Sequence, residues 1–362
     1  MAVDDDRRQT AGQRRELVIE TFSRELDGNV SGSAAARLGD LLRTHPERHL
    51  IVSGDIDGLA SAAMLARSAP PDWRAIALIV KSGDVLLHPD FISGTDLSKC
   101  FGVDVYSTYV DNVSNHVALW GTKKPHSSAA GLAIAQAYDT EVKRRAQTTL
   151  LATPSLWAGI QGSQSRTDLP DSAGYRYPLG TAHVLLALLE AIDRSPRLFD
   201  REYLPWLLAN ADGGLKTIRD HPYNVPLWWS SLAAAVGPAT LSESLYQTAA
   251  RQAPIAFVDT VNRLRAESHL VDGAPAQHLN DDWNLRSQSA EAIGAITKWI
   301  SSLSGWPDPF LGGSEGIKDW LRVPLTSRGR LLTTLPTAPT MPARLELFRA
   351  HFRESLASAL HD

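Results

Sequence analysis

The chain has 362 residues, with 36 Lys and Arg against 40 Asp and Glu and a formal net charge of −4. Apolar residues make up 43 % and charged residues 21 %, the balance of a globular protein. This excludes a strongly basic coat for nucleic acid, whose affinity needs many Lys and Arg contacts to phosphate. No run approaches the roughly 18 consecutive apolar residues of a membrane span, and the charged opening MAVDDDRRQTAGQRRE has no apolar signal core. A single cysteine, Cys100, rules out an intrachain disulfide or a thiolate zinc cluster. The expectation is a cytoplasmic protein without a membrane partner, of a length that suggests two domains.

The apolar spacing of Leu17, Val18, Ile19, Phe22 and Leu26 predicts helix from Arg14 to Leu42, with a further segment over Ser33–Arg43. The run HLIVS at residues 49–53 reads as a buried strand. It passes through Gly54-Asp55-Ile56-Asp57-Gly58 into an Ala-rich helix that stops at Pro70-Pro71. Trp73–Lys81 and Val103–Asp111 read as two more strands. Strand, helix and strand in alternation predict an α/β fold with a parallel sheet in residues 1–145.

Residues 146–362 are expected to be mainly helical, as a substrate-selecting or partner-binding region. Ser127–Arg145 leads into this part, and helical segments follow over Thr181–Arg194, Ser230–Arg251, Pro254–Glu267, Ser287–Leu303 and Pro342–Leu360. Most of the ten tryptophans fall here. Inter-helix packing is the expected role, with base stacking as the alternative.

The chemistry concentrates in LIVSGDIDGLASAAML, residues 50–65. Asp55 and Asp57 follow a buried strand and are flanked by Gly54 and Gly58, at the carboxyl edge where open α/β sheets place ligands. Two carboxylates held close repel, and a divalent cation such as Mg²⁺ or Mn²⁺ relieves that repulsion. The plain alternative is a turn, for which Asp and Gly are common residues.

This stretch resembles the first motif of the DHH phosphoesterases, H-x-D-x-D-G followed by a helix of small residues. That resemblance implies Mn²⁺- or Mg²⁺-dependent hydrolysis of a phosphodiester or phosphomonoester in a nucleotide or short single-stranded nucleic acid. Asp55 and Asp57 fall on the two aspartates and Gly58 on the glycine, while Ser53 stands where the family has a metal-binding histidine. The resemblance also implies a later strand-end aspartate, placed on Asp111, and a D-H-H triplet. The triplet is absent after Asp111, so His116 or His126 stands in for its ligands. Asp212, before Gly213-Gly214, is the placement for a last metal-binding aspartate; a helix C-cap is its alternative. Lys123, Lys124, His126 and Ser127 would meet the substrate phosphate at a helix start. The expected catalytic set is thus Asp55, Asp57, Asp111 and His116, with Asp212 added to the metal shell.

Other clusters carry less. Asp281-Asp282 reads as a solvated helix start, and Arg263, Arg265 and His269 as a solvated helix face. No P-loop, dinucleotide fingerprint, H-E-x-x-H or G-x-S-x-G is present. Two readings compete with a working phosphoesterase: a catalytically lapsed DHH-like binding or scaffold subunit, or a haloacid-dehalogenase-type phosphatase with Asp55 as nucleophile. A protein partner for the helical region is a further expectation.

Overall fold

The computed structural model describes residues 24, 28–80, 84–91, 99–105, 110–115, 119, 129–157, 179–196, 224–247, 256, 259–260, 262–263, 275–280 and 284–324. Seven strands form one sheet: β1 (His49–Ser53), β2 (Arg74–Ile79), β3 (Asp84–Leu87), β4 (Phe101–Val103), β5 (Asn112–Val113), β6 (Leu151–Ala152) and β7 (Leu321–Pro324). Their order across the sheet is β6-β5-β4-β1-β2-β3-β7. The pairs among β2, β1, β4, β5 and β6 are parallel, and β3 and β7 extend the sheet antiparallel. The fold is α/β, and its sheet takes β6 and β7 from beyond residue 145, the expected domain boundary.

The β1 strand has the expected bounds, and α2 (Ile56–Ser68) follows it directly after α1 (Ala34–Thr44) has come before. Every residue from Ile56 to Ala66 is buried. This helix is therefore a central layer rather than an amphipathic cover, as its Ala-rich sequence allows. Further helices are α3 (Ala129–Arg145), α4 (Thr181–Ala191), α5 (Asn224–Val236) and α6 (Ala290–Ser304). Both α4 and α6 pack on α2. Gly294 on α6 lets the Ser314 carbonyl approach, since a Cβ there would lie 2.8 Å from that oxygen.

Alternation along the strands divides the core. Leu50 and Val52 join the large cluster under the helices, with Ala75 and Leu78 beside them. Ile51, Ile76 and Ala77 face a smaller cluster on the other side with Val85, Leu87 and Cys100. Trp73, Trp229, Trp299, Trp306 and Trp320 are all buried, each engaged in packing.

Two sequence expectations change here. The run Val103–Asp111 is not one strand: Val103 closes β4, and Asp111 precedes β5. The expected helix over Ser230–Arg251 starts earlier, at Asn224, and ends at Val236, where Gly237 takes a left-handed φ of 84°. The segments expected over residues 14–23 and 342–360 lie outside the described residues.

Candidate functional site

The sheet has one topological switch point. The chain leaves β1 for β2 on one side and then returns to β4 on the other, so the crevice lies between the carboxyl ends of β1 and β4. Open α/β sheets bind ligands at such a point. Here β1 delivers Ser53, Asp55 and Asp57, and β4 delivers Asp104 immediately after its last residue.

Asp55 is the N-cap of α2, in extended backbone. Its Oδ1 accepts the Gly58 N–H at 3.0 Å, and its Oδ2 accepts the Ser53 hydroxyl at 2.8 Å. The helix turns back so tightly that a Cβ on Gly58 would lie 2.3 Å from the Ser53 carbonyl oxygen. Gly58 is thus fixed by the close approach of α2 to β1.

Asp57 stands in the first turn of α2 but serves another helix. It is 2 % exposed. Its Oδ2 accepts the Thr181 N–H at 2.6 Å and its Oδ1 the Ala182 N–H at 2.9 Å. These are the first two N–H groups of α4, whose N-cap is Gly180 and offers no side chain. Of the other two, the His183 N–H reaches the Gly180 carbonyl at 3.2 Å and the Gly180 N–H reaches His183 Nδ1 at 2.9 Å. All four N–H groups that a helix start leaves open are therefore satisfied, two of them by Asp57.

Asp104 completes the arrangement. It is buried, and its backbone is left-handed with a φ of 58°, uncommon for a residue with a side chain. The Thr181 hydroxyl donates to its Oδ1 at 2.6 Å, so one residue of α4 touches both Asp57 and Asp104. Beyond β5 stand Ser114 and Asn115, both buried, and Asn115 donates through Nδ2 to the Leu179 carbonyl at 3.2 Å. Ser114 Oγ and Asn115 Oδ1 have no hydrogen-bond partner among the described residues. His183 turns its Nδ1 to the Gly180 N–H at 2.9 Å, which leaves Nε2 as the protonated nitrogen of the neutral ring. Burial pushes its pKa down to about 3, and the ring packs on Trp229 at 5.2 Å.

The expected cluster of three distant acids does not form. Asp111 precedes Asn112, which pairs with Gly102, which in turn pairs with Ile51, so Asp111 stands level with Leu50 at the amino edge of the sheet. It caps the start of β6 by accepting the Leu150 N–H, and its charge acts on His45, which precedes β1. Three residues along the strands and two strand spacings across separate it from the Ser53 position. That is about 14 Å at ordinary sheet dimensions, against roughly 4 Å between the ions of a two-metal site. The physical reason is strand direction: in a parallel sheet an acid before a strand and an acid after one lie at opposite edges. No group of three or more His, Cys, Asp or Glu comes together to hold a metal among the described residues. His116, Lys123, Lys124, His126, Ser127 and Asp212 lie outside the described residues.

Sequence reasoning missed Asp104 and Thr181. The signal for Asp104 was an acid inside an apolar β-branched run, Val103-Asp104-Val105, which marks a strand end. Comparison of the chain with protein-family models, with curated proteins and with solved structures finds no match in any of the three.

Proposed function

We propose that this chain is a non-hydrolysing DHH-like module that works as a binding or scaffolding subunit. The carrying observation is the character of the strand ends around the switch point. Neutral Ser53 closes β1 and neutral Ser114 and Asn115 follow β5, while Asp111 stands at the far edge. Among the described residues, the donor set beside Asp55, Asp57 and Asp104 is thus short of the imidazoles and further carboxylates that a divalent-cation phosphoesterase uses. The described residues by themselves do not make up the shell of the Mn²⁺ or Mg²⁺ that the resemblance implies. The single cysteine supports the cytoplasmic setting that belongs to this reading.

A second reading, a phosphoesterase acting on a nucleotide or short single strand, draws on Asp55 and Asp104 lying at the switch point, with the rest of its shell from His116 and Asp212. One experiment separates the two. Short oligonucleotides, cyclic dinucleotides and nucleotide phosphates are incubated with the full chain and Mn²⁺, beside Asp55→Asn. No turnover above the variant supports the binding subunit; Mn²⁺-dependent turnover that the variant loses overturns it.

A further inference from the structure

We infer that the N-terminus of α4 takes the place of a cation at the switch point, with Asp57 and Asp104 bound to Thr181 and Ala182 in one buried seam. The inference deepens the non-hydrolysing reading and rests on it, since it says what holds the carboxylates when no ion does.

Carboxylates gathered under a protein surface need positive charge or donors near them. A helix start supplies both: four open N–H groups and a partial positive charge of about half a unit. The α4 start is built for this use. Gly180 at the N-cap has no side chain to take the first N–H groups, so they point outward. Asp57 takes those of Thr181 and Ala182, one on each oxygen. The Thr181 hydroxyl reaches past Asp57 to Asp104. Thr181 is fully buried and both carboxylates are at most 4 % exposed, so solvent screens none of these contacts. An ion entering here would compete with the α4 donors for the Asp57 oxygens.

The test is melting of the full chain with and without 1–5 mM Mn²⁺ (a range of the order used for weak sites), with Mn²⁺ binding followed directly by electron paramagnetic resonance. Wild type is expected to show the same melting temperature with and without the ion and no bound signal. Asp57→Asn turns an amide N–H₂ toward one backbone donor and is expected to lower the melting temperature by roughly 5 °C or more, equally with and without Mn²⁺. Should that variant not fold, Thr181→Val carries the test: it keeps the N–H to Asp57, removes the hydroxyl, and is expected to melt lower with no ion dependence. A melting temperature that Mn²⁺ raises in wild type, or a bound Mn²⁺ signal, overturns the inference. If that occurs without phosphoester turnover, the seam falls and the non-hydrolysing reading stands. Turnover in the assay above overturns the reading itself.

Discussion

Asp57 and Thr181 stand 124 positions apart in sequence, and the carboxylate of one accepts the backbone N–H of the other at 2.6 Å. The contact ties the central helix α2 to the start of α4, and it has counterparts elsewhere. Glu190, at the other end of α4, accepts the N–H groups of Leu241 and Ser242 and the Ser242 hydroxyl. Asp308 accepts the N–H groups of Phe310 and Ser314. Acidic side chains in this chain repeatedly cap elements to which they do not belong. An acid in a promising sequence position is therefore as readily a fastener as a ligand.

Glu190→Gln tests this use away from the switch point. The amide keeps the shape but has one acceptor oxygen where the carboxylate has two, which accept from three donors at the start of Leu241–Leu245. The expected loss is roughly 1–2 kcal/mol of unfolding free energy, read by urea denaturation. An unchanged midpoint would show that Thr240, which caps the same helix through the Glu243 N–H, suffices alone.

Asp111→Asn tests the correction at the amino edge. The carboxylate caps the Leu150 N–H and its charge raises the pKa of His45 against the larger lowering by burial. The variant is expected to lose roughly 1 kcal/mol and to move the His45 titration further down in a histidine NMR titration. A His45 titration that stays in place would remove Asp111 from this edge.

The strand His49–Ser53 and the Ala-rich helix after it were legible in the sequence because their signals are local, although Asp55 was read as a ligand or turn residue rather than as the cap of α2. An apolar β-branched run marks the one, and an Ala-rich stretch ending before Pro70-Pro71 marks the other. The same holds for α6, where Ser289 caps the start and Gly305 the end. The stretch from Val103 to Asp111 failed because β-propensity marks strand-like residues without marking where one strand ends and the next begins. That ambiguity moved Asp111 from the amino edge to the carboxyl edge and hid Asp104. The seam between Asp57 and α4 had no local signature at all. Its donors are backbone N–H groups, which every sequence possesses, so only the tertiary fold reveals which carboxylate they meet.

Acidification is expected to destabilise the fold, and the sign follows from four groups. Burial lowers the pKa values of His183, His45 and His49 from about 6.5, that of His183 to about 3. The unfolded chain then binds more protons than the folded one below about pH 6.5, so the stability present above that pH is lost as pH falls. Hydrogen bonds from Arg144 and then Arg145 hold Glu141 at about 2, which adds a loss below its ordinary value of 4.5. The expected slope between pH 6 and 4 is about 1.4 kcal/mol per pH unit for each proton taken up on unfolding. Urea midpoints across that range check it, and a stability that is flat or rises toward pH 4 would contradict neutral, buried histidines.

Gly58→Ala probes the geometry that sets Asp55 and Asp57 where they are. The added Cβ would lie 2.3 Å from the Ser53 carbonyl oxygen and 2.8 Å from the Ser53 Cβ. Both obstacles belong to β1 or its first side-chain carbon, so neither can swing aside as a flexible side chain would. Relief requires the first turn of α2 to lift from β1, which lengthens the Gly58 N–H to Asp55 contact and draws Asp57 from the α4 start. The expected cost is roughly 3 kcal/mol, at the upper end of ordinary overpacking, measured by urea denaturation. Amide hydrogen exchange should speed at Gly58, Thr181 and Ala182 together, because the first loses its cap as the others lose theirs. Faster exchange at Gly58 alone would mean that α2 can shift at its start without disturbing α4, and that Asp57 and α4 move as one body.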